Sequence, residues 1–206
     1  MKLIGRNLSP FTRRVAIAMD LLGIKHERLY LTPWQEAQAN EIRAANPLTR
    51  VPILVLDDGE RLIESGAILD HLMEGMPPEK ALIPAKGKER RECLRIAAIG
   101  TGIMDKGVNA FYERTKRPAE KVHAPWHDHL KSQITGGLQA LEALPMSPWF
   151  LGARMTIADI TAAVAMTFLA RTNPDLVPQG RYPKLEALAA KCEAMPAFKA
   201  SPLETP

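Results

Sequence analysis

The sequence is poor in cysteine: Cys93 and Cys192 are its only two in 206 residues, and no Cys-x-x-Cys pair occurs. Two widely separated cysteines do not make a disulfide framework, and a dithiol redox site needs the closely spaced pair that is missing. Both are therefore predicted to behave as small apolar residues.

A long apolar run is also missing. The longest nearly apolar stretch covers residues 160–170, whereas a membrane-spanning helix needs about 18 to 20 such residues. The first six residues, MKLIGR, lack the apolar core of a signal peptide. The sequence therefore predicts a cytoplasmic protein without a membrane partner. With 46% apolar and 24% charged residues, the composition is that of an ordinary globular protein.

Charge of one sign is not concentrated anywhere, although the net charge is +4. The basic segment 86–95 contains Glu89 and Glu92, which is typical of a solvated helix face and argues against a nucleic-acid partner. His123 and His127 have the four-residue spacing of a zinc-binding pair, with His129 close by. No cysteine accompanies them, so a solvated helix face without a metal is the favoured interpretation.

The first 75 or so residues alternate short strands and helices. Residues 2–5 and 25–31 are predicted strands that flank a helix opened by Ser9-Pro10, because Ser is a good N-cap and Pro suits the first helical position. An irregular helix follows over 33–45. Strands at 51–56 and 60–63 surround Asp58-Gly59, a two-residue hairpin signal, and Ser65 is predicted to cap a third helix. The order βαβαββα is that of a thioredoxin-like α/β domain.

The pattern changes after Pro77-Pro78, and the remainder is predicted to be helical. We expect a first domain over 1–76, a linker over 77–83 and an all-helical domain over 84–206. An apolar stripe on a long helix comprises Leu94, Ala97, Ala98, Thr101, Met104, Val108 and Phe111, and Gly100, Gly102 and Gly107 interrupt that helix for close packing or a bend. Thr156 and Asp159 fit a capping box before an almost wholly apolar central helix over 157–170.

Three ordered motifs resemble the cytosolic glutathione transferases. Residues 9–15, SPFTRRV, are similar to the first-helix start of tau, theta and omega-like members that carry Ser or Cys there. Residues 46–54, NPLTRVPIL, with 62–68, LIESGAI, resemble the family's Val-Pro strand and its Glu-Ser helix start. Residues 150–159 resemble the family's capping motif in the helical domain. The resemblance runs from residue 2 to about 201 and implies a glutathione transferase fold.

The resemblance also implies a glutathione site. Pro52 would follow a cis bond that presents the backbone of Val51 to the cysteinyl part of glutathione, and an X-Pro cis bond costs only about 0.5–1 kcal/mol. Glu64 and Ser65 would receive the γ-glutamyl end at a helix N-terminus, where the dipole favours an anion. Arg50 would pair with a glutathione carboxylate, with plain exposure on the surface as the alternative.

Ser9 is the predicted catalytic residue, because its hydroxyl would stabilise the glutathione thiolate. Lowering a thiol pKa by two units requires about 2.7 kcal/mol. One hydrogen bond to a charged group gives about 1.5–3 kcal/mol, and a helix N-terminus adds about 0.3–1 kcal/mol. A plain N-cap role competes with this one, and Thr12 and Asn7 are the nearest substitutes. No tyrosine precedes Tyr30, which disfavours the Tyr-dependent classes.

The expected function is transfer of glutathione, as co-substrate, to a small hydrophobic electrophile bound near Phe11, Met104, Val108 and Tyr112. Two alternatives stay open. One is a glutathione transferase fold used for binding or regulation without catalysis; the other is glutathione-dependent lyase, dehalogenase or disulfide reductase chemistry. The family implies a homodimer.

Overall fold

The computed structural model of the protein describes residues 1–205 and separates the chain into two units. Met1–Ile83 and the segment from Met195 onward form the first unit, and Pro84–Ala194 forms the second. The structure differs here from the sequence-based division, which placed residues 77–83 in a linker and everything after 84 in the helical domain. The last residues contact the first helix of the chain, a return that helical patterning alone does not reveal.

The first unit has the order βαβαββα, as predicted. Its elements are β1 (Lys2–Ile4), α1 (Pro10–Leu21), β2 (Glu27–Leu29), α2 (Glu36–Ala45), β3 (Ile53–Val55), β4 (Arg61–Ile63) and α3 (Ser65–Met73). The strands form one sheet in the order β2-β1-β3-β4, in which β1 and β2 are parallel and the other two pairs are antiparallel. This arrangement confirms the thioredoxin-like α/β fold.

The two faces of the sheet bury different side chains. Ile4 and Ile53 are opposite each other in the ladder and cluster with Ile42 of α2. Leu3 and Leu54 form the next pair and have no exposed surface. Since successive side chains in a strand alternate between faces, this pair lies on the side away from α2. Both faces of this small sheet are therefore covered.

Helix α1 begins and ends where the sequence indicates. Ser9 is its N-cap and Pro10 its first residue. At the other end, Gly23 has a φ of +68°, and the Ile24 N–H donates to the Met19 carbonyl. A glycine in the left-handed region with this long backward bond is the Schellman ending of a helix.

The hairpin between β3 and β4 is wider than predicted. The Leu56 N–H donates to the Glu60 carbonyl, and the Gly59 N–H donates to the Leu56 carbonyl. Three residues rather than two therefore form the loop, with Gly59 at a φ of +91°. The Asp-Gly signal marks the turn correctly, but a three-residue loop also uses a left-handed glycine, at its last position.

The second unit consists of helices, with α8 (Pro196–Ala200) following it in the chain. Its members are α4 (Gly87–Thr115), α5 (Ala124–Glu142), α6 (Ile157–Thr172) and α7 (Pro183–Glu193), with short 3-10 turns at Ala119–Lys121 and Pro174–Leu176. Helix α6 packs against both α4 and α7 and is buried along nearly its whole length. The prediction of a buried central helix is confirmed, as is the Thr156–Asp159 capping box at its start.

Helix α4 packs closely on α6 through two glycines. A Cβ at Gly100 would lie 2.9 Å from Thr161 Cγ2, and one at Gly107 would lie 2.9 Å from Leu169 Cδ2, whereas Gly102 faces open space. The predicted apolar stripe of α4 is wrong in part. Leu94 and Ala98 are exposed. The buried positions are Cys93, Ile96, Ala97, Gly100, Ile103, Met104, Gly107, Ala110 and Glu113. Glycine carries no apolar signal, so the stripe was placed beside the true face.

Within the described residues, the structure contains no helix with the length and apolarity that crossing a membrane requires.

Candidate functional site

Ser9 lies at the N-terminus of α1 and is only weakly engaged there. Its Oγ accepts a hydrogen bond from the Thr12 N–H at 3.3 Å, longer than the usual 2.9–3.0 Å. In the described part of the chain this is the one hydrogen bond of its hydroxyl, so the hydroxyl proton is free to donate. The side chain is partly exposed. Ser9 therefore caps its helix loosely and can still donate to an added group.

The two substitutes for Ser9 are less available. Thr12 has no exposed surface, and its hydroxyl is buried without a hydrogen-bond partner among the described residues. Asn7 is 1% exposed, and its side-chain oxygen accepts a hydrogen bond of 2.6 Å from Arg28. Of the three residues, Ser9 alone keeps an accessible hydroxyl.

Gly5 brings the Ser9 loop against the Val51 segment. Its φ is +133°, and a Cβ at this position would lie 2.5 Å from Thr12 Oγ1 and 2.8 Å from Val51 Cβ. A side chain therefore cannot be placed here without moving one of the two segments. This close approach puts two of the predicted glutathione-binding segments side by side.

The segment before β3 is shaped by Asn46 and Pro52. The Asn46 amide donates to the Arg50 carbonyl at 2.8 Å, and its oxygen accepts from the Leu48 N–H at 3.0 Å. The Val51–Pro52 bond is cis, the isomer that the family resemblance implies. Val51 is partly exposed beside this bond, whereas the Arg50 side chain is exposed. The structure thus leaves a backbone edge at Val51 next to the start of α1.

The N-terminus of α3 is built differently from the prediction. Glu64, with a φ of 71°, is the N-cap in place of Ser65, and its carboxylate accepts from the Gly66 N–H at 2.8 Å. Ser65 is the first helical residue and has no exposed surface. Its hydroxyl donates to the other Glu64 oxygen at 3.1 Å. A carboxylate of the chain itself therefore occupies the helix N-terminus at which the sequence predicted a ligand carboxylate.

Arg14 is a residue of this site that the sequence reasoning missed. Its Nε and Nη2 donate to Ser65 Oγ at 3.1 and 2.7 Å. Burial lowers the pKa of the Arg14 guanidinium to about 10, although Glu64 acts in the opposite direction. The group therefore remains charged at neutral pH and supplies positive charge beneath the start of α3. The adjacent arginines Arg13 and Arg14 in a helix of mainly apolar residues were the available signal, because a buried charge without a partner is costly.

The predicted electrophile residues lie in both units. Phe11, on the first turn of α1, is partly exposed in the first unit. On α4 of the second unit, Val108 and Tyr112 are partly exposed, whereas Met104 has no exposed surface. Their role stays a prediction.

Family comparisons match both units. The model of the glutathione S-transferase N-terminal domain matches residues 3–80, and that of the C-terminal domain matches residues 124–190. The chain is 30% identical to the uncharacterized GST-like protein YibF of Escherichia coli K12, with 82% of each chain covered. It is 29% identical to the maleylacetoacetate isomerase of Pseudomonas aeruginosa, covering 97% of this chain and 94% of the relative.

Solved structures show the same similarity. A glutathione S-transferase from Methylobacterium radiotolerans, in complex with glutathione sulfonate, is 32% identical with a TM-score of 0.90, over 97% of this chain and 93% of the other. A glutathione transferase family member from Pseudomonas fluorescens Pf-5, with bound glutathione, is 31% identical with a TM-score of 0.85, over 100% and 98% of the two chains.

Proposed function

Because the chain belongs to the glutathione S-transferase family, we propose that it binds glutathione and activates the glutathione thiol for attack on a small electrophile. The observation that supports this proposal is the close approach at Gly5, where a Cβ would lie 2.5 Å from Thr12 Oγ1 in the first turn of α1 and 2.8 Å from Val51 Cβ. Ser9, whose hydroxyl is accessible, is the N-cap of the same helix. Glutathione sulfonate in one relative of similar structure and glutathione in another support glutathione as the ligand here.

The proposed binding mode follows from the groups that face this edge. The cysteinyl backbone of glutathione pairs with Val51 next to the cis Pro52, and Arg50, which is exposed, reaches a glutathione carboxylate. The γ-glutamyl end lies at the start of α3, where the Glu64 carboxylate attracts its ammonium group. Its carboxylate is attracted by the charge of Arg14, because the Glu64 carboxylate already caps the N-terminus of α3. Ser65 acts there through Arg14 and Glu64, because its hydroxyl is already bonded to both.

In the proposed mechanism, Ser9 donates its hydroxyl proton in a hydrogen bond to the glutathione sulfur. A hydrogen bond to a charged group contributes about 1.5–3 kcal/mol, and one pKa unit corresponds to about 1.36 kcal/mol. Ser9 can thus lower the thiol pKa by about one to two units. No acidic residue stands in the first turn of α1, so no carboxylate there opposes the thiolate. The thiolate then attacks the electrophile.

A second candidate function is glutathione-dependent isomerisation. It is favoured by the similarity to maleylacetoacetate isomerases over nearly the whole chain. In such a reaction the thiolate adds to a carbon–carbon double bond conjugated to a carbonyl group, the resulting single bond rotates, and elimination restores the double bond and the free thiolate. The same Ser9 geometry serves both reactions, but isomerisation returns glutathione unchanged.

The test begins with glutathione binding to the whole protein by calorimetry, followed by a pH titration of the ultraviolet absorbance of the bound thiolate. We expect Ser9→Ala to raise the pKa of the bound thiol by about one to two units. Thr12→Val removes the buried Thr12 hydroxyl near Ser9 and should change the pKa of the bound thiol by no more than a few tenths of a unit. Ser132→Ala removes an exposed serine hydroxyl on α5 and serves as the control, which should leave the pKa of the bound thiol unchanged.

The contradicting outcomes are distinct. If the wild type does not bind glutathione at millimolar concentration, the proposed function fails. If Ser9→Ala leaves the thiol pKa unchanged, another group must stabilise the glutathione thiolate. Glutathione consumed in proportion to product indicates conjugation, lyase or reductase chemistry, and glutathione conserved during turnover indicates isomerisation. Binding without any turnover of electrophiles would indicate a non-catalytic binding protein. We also propose a homodimer, which sedimentation tests directly.

A further inference from the structure

The loop that carries Ser9 is held from outside by the end of the chain. This loop, residues 5–9, leaves β1 with the Gly5 N–H donating to the Leu29 carbonyl at 2.8 Å. Within it the Ser9 N–H donates to the Arg6 carbonyl at 3.1 Å. These two backbone bonds attach the ends of the loop but leave residues 6–8 to be fixed by other contacts.

Glu204 supplies two of these contacts, to Arg6 and Asn7, and the Thr205 carbonyl accepts another from Arg6 Nη2 at 3.2 Å. One carboxylate oxygen accepts from Arg6 Nε at 2.6 Å, and the other accepts from the Asn7 N–H at 2.8 Å. The bonds are short and charge-assisted, which is the strong class of hydrogen bond. The two side chains are 25% and 34% exposed, for Glu204 and Arg6 respectively, so water screens the pair only in part. Glu204 therefore holds the loop at Asn7 and Arg6, two and three residues before Ser9.

Ser201 makes further hydrogen bonds that fix the chain both before and after Ser9. Its carbonyl accepts from Arg13 Nε at 2.8 Å, and Arg13 is one turn into α1. Its hydroxyl accepts from Arg28 Nη1 at 3.2 Å, while Arg28 Nη2 donates to the side-chain oxygen of Asn7 at 2.6 Å. Asn7 is thus fixed through its backbone by Glu204 and through its side chain by Arg28.

Burial makes this arrangement rigid. Asn7, Arg13 and Ser201 are each at most 1% exposed, and Phe198 of α8, which faces the Arg13 guanidinium, has no exposed surface. Buried polar groups in a connected network hold one geometry, because any displacement leaves a polar atom without a partner. Arg6, Arg28 and Glu204 are the partly exposed members of this network. Glu204 can therefore be substituted without leaving a cavity in the core.

We propose that Glu204 is a positioning residue for catalysis: it fixes the loop of residues 5–9 and thereby directs the Ser9 hydroxyl toward the glutathione sulfur. The inference rests on the proposed function of Ser9. It adds to the active centre a residue that lies 197 positions from Asn7 in the sequence. Among residues 1–205, the hydroxyl of Ser9 has only the long bond to the Thr12 N–H to orient it, so its direction depends on where the loop places the Ser9 backbone.

The experiment compares Glu204→Ala and Glu204→Gln in the full chain with wild type. The first removes both acceptors, and the second keeps the size and one acceptor but loses the charge. We expect Glu204→Ala to raise the pKa of the bound thiol by about half a unit to one unit and to lower kcat by about tenfold, because small misplacements of catalytic groups have large kinetic effects. Glu204→Gln should give an intermediate shift. Glutathione affinity should change less than about twofold, since the Glu204 carboxylate bonds to Arg6 and to the Asn7 backbone and not to the residues proposed to bind glutathione.

Glu186→Ala is the matched control. Its carboxylate also accepts from backbone N–H groups, those of Gly180 and Tyr182, but in the helical unit. A general loss of stability would affect both alanine variants, whereas a shifted thiol pKa is expected only for Glu204. Should Glu204→Ala fail to fold, Glu204→Gln carries the test.

Ser9→Ala separates the two claims. If Ser9→Ala shifts the thiol pKa and neither Glu204 variant does, the positioning role is overturned and the proposed function stands. If Ser9→Ala has no effect, the catalytic role of Ser9 fails and the positioning role with it. In the double variant Ser9→Ala/Glu204→Ala, we expect no further shift beyond that of Ser9→Ala, because Glu204 acts through Ser9; fully additive shifts would refute this.

Discussion

Helices α1 and α6 both have a hydroxyl residue as N-cap. At α6 the capping groups are fully hydrogen-bonded, which we call a closed cap, whereas at α1 the hydroxyl can still donate, which we call an open cap. At α6, Asp159 accepts from the Phe150 N–H at 2.9 Å and from both the N–H and the hydroxyl of Thr156, at 2.8 and 2.9 Å. Thr156 and Asp159 are buried. At α1, the partly exposed Ser9 side chain makes one long hydrogen bond to the described residues, and the first turn contains no acidic residue. A saturated cap serves stability, while a loose one leaves a donor for chemistry.

A thiol is relevant at each of these two helix N-termini: that of Cys93 at α6, and that of the proposed glutathione at α1. Cys93 lies at the start of α6, where the Thr156 hydroxyl and the N–H groups of Ile157 and Ala158 favour its thiolate. Burial, helped by the charge of Asp159, nevertheless raises the pKa of the Cys93 thiol above its ordinary value. A helix N-terminus by itself therefore does not make a thiolate. The proposed glutathione thiol at α1 differs in having a partly exposed site and no carboxylate in the first turn.

The largest expected effect is the protection of the native cysteines. Cys93 and Cys192 have no exposed surface, and burial raises the pKa of Cys192 to about 12. Because reaction with a thiol reagent must wait for unfolding that costs several kcal/mol, we expect rates at least about a thousandfold slower than in urea. The release of the coloured thiolate from Ellman's reagent measures both rates. Rapid labelling of Cys93 in the native protein would remove the contrast between the two helix starts.

The thiols of Cys93 and Cys192 also predict how the free energy of unfolding changes with pH. Their folded-state pKa values lie above the unfolded value of 9.0, so the stability that they contribute is fully present below pH 9.0 and declines as the pH rises through and beyond it. Cys93→Ala should flatten that decline in urea melts, while melts at neutral pH report only the change in packing.

The next effect is the loss of the closed cap. Asp159→Ala leaves the N–H groups of Phe150 and Thr156 buried without acceptors, so we expect the free energy of unfolding to fall by about 3 kcal/mol. Urea unfolding followed by circular dichroism measures it. Asp159→Asn keeps one acceptor and should cost less. A loss below about 1 kcal/mol would mean that the capping box contributes no more than an ordinary surface cap.

The smallest effect is expected at the open cap. Ser9→Ala should lower the free energy of unfolding by about 0.5 kcal/mol or less, because its bond to the Thr12 N–H is long. Thr156→Ala, the matched change at α6, should cost about 1–2 kcal/mol. Equal losses in the two variants would show that Ser9 is a structural cap like Thr156 and would weaken its catalytic assignment.

The sequence was sufficient for the elements whose signals are local. Ser9-Pro10, Gly23 and the Thr156–Asp159 box marked the helix ends, and the Val51-Pro52 motif marked the segment beside the Ser9 loop. What local signals could not supply were contacts between distant residues. The bond of Arg14 to Ser65, 51 positions later in the chain, saturates a hydroxyl that the sequence left free for a ligand.

The errors have physical causes of the same kind. Glu64 replaces Ser65 as the cap of α3 because it adopts a φ of 71°, a conformation that non-glycine residues rarely adopt and sequence patterns do not indicate. Exposed Leu94 was included in the buried face because apolarity was the only available criterion. Glu204 carried no signal, since an isolated glutamate near the end of a chain is usually solvated.

The chain path gives the molecule an unusual architecture for dissection. The chain leaves the first unit after Ile83 and re-enters it at Met195, so the helical unit is an insertion within the thioredoxin-like unit rather than a module appended to it. A fragment cut at residue 83 would expose Arg13, which has no exposed surface in the intact chain, and would lose Phe198 that covers it. An excised first unit therefore needs the residues from 195 onward joined to residues 1–83 by a flexible linker, so that Phe198 still covers Arg13.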